Sequence, residues 1–272
     1  MKSPCHFRRR TLVSVWFFIA AIITFTSFGL SGGIALAQEF TTEFALEDCK
    51  FKNKGENRHF ILQPGYQLVL EGVEDGEEIR VVITVLKRTE KIDLPGIGVV
   101  STRIVEEREF VDGDLIEVSR NFFAICEKTN DVFYFGEDVD ICEDGSLEQN
   151  GDGFLCNGEE PSHEGAWRAG VDDALPGIIM PGTFLLGSRY FQEQAPGVAL
   201  DRAEHVEMGL TVDTPAGTFE KCVRVIETTT LEPGAESEKI YCPEVGVVVD
   251  DVVQLVEFGK NIVDDDGGDD EV

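Results

Sequence analysis

The sequence predicts a mainly β chain: an antiparallel meander curved into one sheet, a half-barrel or open barrel, with a β-sandwich as the alternative. Three observations predict it. Apolar residues recur with period two along β-branched runs, and no segment carries a sustained 3.6-residue apolar repeat. Asp-Gly and Pro-Gly pairs punctuate the runs at turn spacing. Links this short join neighbours antiparallel, because a parallel pair needs a crossover of a dozen or more residues.

Residues 1–37 read as a signal peptide ahead of the first strand. Lys2, Arg8, Arg9 and Arg10 form a positive start, an apolar run covers residues 11–30, and Ala35-Leu36-Ala37 supplies a small-x-small cleavage site. The run is long enough to anchor a chain in a bilayer, but the Ala-Leu-Ala site points to cleavage and export, to the periplasm or the cell exterior. No cysteine follows the site, which argues against a lipid anchor. Residues 38–258 then form a single β-rich domain. Ile79, Val81, Ile83 and Val85 set the first clear strand, and residues 99–110 continue the pattern with charges on one face. Asp112-Gly113 turns the chain and residues 115–124 return. A short strand covers 132–135. Residues 137–164 break the pattern as a long acidic loop, a length that is usually functional or disordered. Strands resume at 198–212, 218–230, 237–242 and 245–257. Residues 259–272 form an acidic, disordered tail.

Composition restricts the partners. The chain has 23 Lys and Arg against 52 Asp and Glu, a formal charge of −29. Removing residues 1–37 takes four basic residues and no acidic ones, leaving −33. Such a surface repels phosphate, so neither nucleic acid nor an anionic membrane surface is expected as a partner, which leaves an unidentified ligand or protein.

Seven cysteines become six when Cys5 leaves with the signal, and an even count in an exported chain reads as three disulfides. Cys142 and Cys156 bracket a Gly/Asp/Asn-rich stretch. Cys222 and Cys242 lie on two arms of one hairpin, and Cys49 pairs with Cys126 by elimination. If Cys222 faces Cys242, the turn centres on Glu232, not on Pro233-Gly234. That offset needs a wider loop or a bulge near Thr228–Thr230.

One metal motif stands out. Counted as a calcium loop, Glu148, Asn150 and Asp152 fall at positions 1, 3 and 5, Gly153 at 6, the Phe154 carbonyl at 7 and Glu159 at 12. Glu at position 1 and Cys156 at position 9 depart from the pattern, and Gly158 and Pro161 preclude an exit helix. Catalytic motifs are weaker. His163-Glu164-Gly165 lacks the second histidine of a zinc helix, and His205 reads as outward-facing. Glu137, Asp138 and Asp140 crowd a strand end as paired carboxylates do in hydrolases, but 52 acidic residues make such clusters common. Phe133-Tyr134-Phe135 reads as core packing plus one exposed ring.

Several segments carry a resemblance. DVFYFGEDVD (131–140), HEGAWRAG (163–170), PGIIMPG (176–182), YFQEQAPGVALDRAE (190–204), ETTTLEPG (227–234) and YCPEVGVV (241–248) resemble a group of exported bacterial β-rich proteins without an assigned activity. The resemblance spans roughly residues 115–250, implies no catalytic role, and leaves 141–160 as an insertion. Residues 241–248 are also similar to closing strands of periplasmic half-barrel lipoprotein carriers, which implies fold alone. Three functions follow as expectations: a binding or structural protein with a calcium-stabilised loop, a carrier of an apolar ligand, or a carboxylate-based hydrolase.

Overall fold

A computed structural model describes residues 39–143, 145–151 and 153–263. The expected signal peptide, most of the expected acidic tail and Asp152 lie outside the described residues. The period-two runs become thirteen antiparallel strands in one sheet, nearly closed into a barrel with one unsealed seam. In chain order these are β1 (Tyr66–Glu74), β2 (Glu77–Leu94), β3 (Gly98–Val111), β4 (Asp114–Cys126), β5 (Val132–Ile141), β6 (Leu175–Met180) and β7 (Arg189–Phe191). There follow β8 (Glu193–Gln194), β9 (Asp201–Thr214), β10 (Gly217–Thr229), β11 (Glu236–Cys242), β12 (Gly246–Asp250) and β13 (Val253–Lys260). Around the sheet the order is β7-β9-β10-β11-β12-β13-β1-β2-β3-β4-β5-β6-β8. The last strand, β13, therefore lies between β12 and β1, and it reaches into the stretch expected to be tail.

The two edges of the sheet are adjacent in sequence. Phe191 pairs with Arg202 of β9, Glu193 pairs with Pro176 of β6, and only Gln192 separates them. Gln192 is fully buried and its N–H donates to the Asp201 carbonyl at 2.8 Å. The approach depends on Gly177, where a Cβ would lie 2.3 Å from the Phe191 carbonyl oxygen.

Inside, each strand presents alternate residues, and the lining changes along the axis. Leu68, Ile83, Val85, Val105, Tyr241 and Val247 line one half. A hairpin, Gly55–Asn57 with Phe60–Leu62, closes that end: the Phe60 ring packs edge-on against Phe123, and Leu62 is fully buried. The other half is polar and open.

Outside, ion pairs such as Arg80–Glu71 and Arg224–Glu207 face water. The N-terminal arm covers β5: Phe44 and Phe51 pack edge-on against Phe133, and Phe51 also meets Phe135. All three rings of Phe133-Tyr134-Phe135 are consequently buried, where the sequence suggested one exposed ring.

The three expected disulfides are present: Cys49–Cys126, Cys142–Cys156 and Cys222–Cys242. β10 and β11 keep one unbroken register from Val223↔Tyr241 to Thr228↔Glu236. The offset from Pro233-Gly234 is thus absorbed by a wide loop and not by a bulge. Residues 137–164 differ from the long loop expected. β5 runs on to Ile141, and Leu147–Asn150 with Gly153–Cys156 form a second hairpin. Its Leu147 and Phe154 pack with Val118 and Cys142 on the barrel wall.

Candidate functional site

The open half of the barrel holds a cavity of about 500 Å³. Its walls come from strands whose inward positions are acidic: Glu117 of β4, Glu137 of β5, Glu193 of β8 and Asp201 of β9. Tyr134 and Trp167 give it an aromatic side, their rings edge-on at 5.1 Å. Tyr134 Oη donates to Asn121 Oδ1 at 2.5 Å, which fixes its ring. Trp167 is held by a short strand, Trp167–Arg168, paired with β5 opposite Glu137. Gly136 makes that pairing feasible, because a Cβ there would lie 2.7 Å from the Trp167 carbonyl oxygen. Glu143, Glu164 and Glu232 stand among the residues lining the space.

Below the cavity Lys239 is buried with Asp250 and Glu227, at 3.1 and 3.5 Å. Gln192 Nε2 donates to the other oxygen of Glu227 at 2.7 Å. Glu107 of β3 interacts with this group from across the lumen. Among the described residues the carboxyl groups of Glu107, Glu109, Glu117, Glu137, Glu193, Asp201, Glu227 and Asp250 therefore share the interior with the ammonium of Lys239. A buried charge left uncompensated costs several kcal/mol, so protons or cations must balance the remainder.

The titration behaviour follows from that crowding. Burial pushes Glu107 up to about 7 against the pull of Lys239, and does the same for Asp250. Burial raises Asp201 to about 6, opposed by a hydrogen bond from Thr229. Burial, then the charges of Glu117 and Glu107, hold Glu137 well above the usual carboxylate range. Glu193 is raised likewise, by burial and then by Asp201. For Lys239 burial alone would lower the value, but Asp250 and Glu227 carry it above the ordinary lysine range.

The Glu193–Asp201 pair forms the sharpest feature. Glu193 is fully buried, its Oε1 accepts the Asp201 N–H at 2.6 Å, and among the described residues its Oε2 accepts no hydrogen bond. An acid of this kind either keeps a proton or meets a cation.

No family model, curated protein or solved structure matches the chain. The geometry carries the reading alone.

The acidic trio noted in the sequence is divided by the strand pleat. Glu137 faces the cavity, whereas Asp138 points out to Arg168 at 2.7 Å. Asp140 is buried on the outer wall, 3.1 Å from Arg120 and 3.2 Å from His163. Expected to face outward, His205 is instead 1 % exposed. Its Nε2 lies 2.9 Å from Tyr190 Oη and Nδ1 lies 3.0 Å from the Leu185 carbonyl, with Phe184 stacked on the ring at 3.8 Å. Asp201 and Ala203 share the face of His205, which the barrel turns inward, whereas Glu207, set at the same alternation, is exposed beside Arg224 because the register shifts between His205 and Glu207. His163 is exposed, and its Nδ1 lies 2.7 Å from the Val139 carbonyl.

Among the calcium-loop residues, Glu148 and Asn150 lie exposed on one face of the first arm of the 147–156 hairpin. Phe154 sits on the second arm with its ring under Arg120, and Glu159 is exposed beyond Cys156, bridged to it by two backbone hydrogen bonds. Asp152 lies outside the described residues. Among the described residues no three His, Cys, Asp or Glu side chains converge as metal ligands. Glu193, Asp201, Glu107 and Lys239 were not singled out from the sequence. Glu193 and Asp201 fall in the 190–204 segment that carried the resemblance, the one signal that marked them.

Proposed function

We propose that this chain is an exported small-ligand-binding protein that takes its ligand into the open half of the barrel. The observation that carries this is the cavity of about 500 Å³, lined by the aromatic rings of Tyr134 and Trp167 and by the carboxyl groups of Glu117, Glu137, Glu193 and Asp201. Ligand pockets typically occupy roughly 300–1,000 Å³, apolar over much of their lining with a few placed polar groups. Three disulfides suit the oxidising surroundings of such a protein. The chain has two tryptophans, and only Trp167 remains after residues 1–37 are removed. Its fluorescence therefore reports the cavity directly. Native mass spectrometry of the protein from its source should show a small molecule, and release of that molecule should change Trp167 emission. A bare mass, with emission unmoved by every small molecule tried, would overturn the reading.

A carboxylate-based hydrolase is the second reading. It is favoured by the unequal pair: Glu193 held protonated and Asp201 titrating near neutrality, one acid and one base on the same wall. Turnover of a glycoside or ester panel, abolished in Glu193→Gln, separates it from simple binding. Calcium at 148–159 stands as an independent proposal, supported by the shared exposed face of Glu148 and Asn150. Calorimetry with calcium on wild type and on Asp152→Ala/Glu159→Ala tests it, and identical heats would remove it.

A further inference from the structure

We propose that the ligand is an organic cation, a primary amine or guanidinium on a compact apolar or aromatic body, whose charge is received by the Glu193–Asp201 pair. The inference rests on the small-ligand reading and names its ligand class.

The geometry supplies the receptor for the charge. Glu193 belongs to the cavity wall and is fully buried, and among the described residues its Oε2 accepts no hydrogen bond. An N–H donor entering the cavity completes its coordination, and charge-assisted bonds of this type are the strong ones. The neighbour already in place is the Asp201 side chain, hydrogen-bonded to Glu193, which is a second acid and not a cation. Among the described residues the lining carries no Lys, Arg or His, and Lys239 below is engaged by Asp250 and Glu227. Tyr134 and Trp167 provide faces that suit both an apolar body and an adjacent positive charge. Carboxylates also stand around the space, Glu164 and Glu232 among them, and a wall of one sign raises the local concentration of cations and excludes anions. A bare divalent metal fits less well. It demands several converging oxygens, and among the described residues no such group of three is formed, while half the wall is aromatic or aliphatic.

Binding must then exchange charge for charge. The pair holds a proton when the cavity is empty, because two adjacent carboxylates do not both ionise in a buried wall. When the ammonium group enters, that proton leaves to solvent and the net charge of the site is unchanged. The exchange is detectable as proton release.

The test uses the mature protein and matched probes at neutral pH: benzylamine with benzyl alcohol, phenethylamine with 2-phenylethanol, and benzamidine with benzoate. Trp167 fluorescence gives affinities, and calorimetry in two buffers of different ionisation heat gives the protons released. The amines should bind at least about tenfold more tightly than the alcohols, with proton release, and benzoate should not bind. In Glu193→Gln, which keeps the acceptor for the Asp201 N–H, amine preference and proton release should both vanish while the alcohols still bind. Glu137→Gln, two strands away on β5, provides a second variant, expected to weaken amines less. Melting curves confirm that each variant is folded. Alcohols binding as well as amines would leave the cavity reading standing and overturn the cation inference. Silence from every probe would overturn both. Calcium alone binding at this pair and excluding the amines would replace the organic cation with a metal.

Discussion

Gly177 and Lys239 each hold a position that one atom decides. At Gly177 a methyl group would lie 2.3 Å from the Phe191 carbonyl oxygen and 2.6 Å from that of Gln192, so β6 and the closing segment can meet only where no side chain intervenes. Gly177→Ala should destabilise by about 1–3 kcal/mol, as overpacking does, seen as a lower urea midpoint. It should also weaken ligands, because Glu193 follows Gln192 directly; unchanged stability would mean that the seam yields freely. At Lys239 the ammonium offsets Asp250 and Glu227 in a site closed to bulk water. Lys239→Met leaves those carboxylates unpaired, a loss of about 3–5 kcal/mol. The deficit should be largest above the Asp250 value of about 7 and shrink in acid as the carboxyl groups become neutral. A pH-independent deficit would point to packing alone. Neither residue declared its role in the sequence. A strand glycine and a strand lysine look the same whether they face a seam, a lumen or solvent.

Elements were more legible than residues where covalent chemistry constrained them. The cysteine pair at 222 and 242 implied the register of β10 and β11, and every pair observed obeys it. The 147–156 hairpin escaped notice because its two anchoring side chains, Leu147 and Phe154, are spread through an acidic, glycine-rich stretch. Its docking is nonetheless specific. Arg120 and Arg108 lie over the Phe154 ring at 5.4 and 5.9 Å, and both guanidinium groups contact Glu106 on the wall beneath. Phe154→Ala should cost about 3 kcal/mol, the low end for a buried aromatic. Because Cys142–Cys156 still tethers the hairpin, the change should be local. Amide exchange over 147–156 should accelerate while β9 to β12 stay protected, and unchanged exchange would sink this account.

For the whole molecule, the charge buried inside sets an unusual dependence on pH. Glu107 and Asp250 titrate near 7 and Asp201 near 6, and Glu137 and Glu193 are raised as well. Unfolded carboxyl groups titrate near ~4, so the folded state binds these protons more tightly. Their stabilisation is fully present below the unfolded value and is lost as pH rises through 6 to 7. His59 and His205, depressed by burial to about 4, act in the opposite sense, losing stability as pH falls from their unfolded value of ~6.5. Five carboxyls outweigh two imidazoles, so the melting temperature should climb as pH falls from 8 towards 5. A maximum at or above neutrality would contradict the buried cluster. The curved antiparallel sheet was readable from period-two runs and short turns, but the lumen was not. On β3 the inward face passes from Val105 to Glu107 without a change of period, so alternation identifies a face and not which side of it is wet. Strand order also acts in time. β13, the last of the described strands to be made, fills the gap between β12 and β1. Until it arrives, Tyr66–Glu74 is an edge of unpaired backbone bearing Leu68, Val69 and Leu70, the kind of edge on which chains aggregate. A chain emerging N-terminus first must shield that strand until residues 253–260 have been made, and truncation before Val253 leaves it exposed for good.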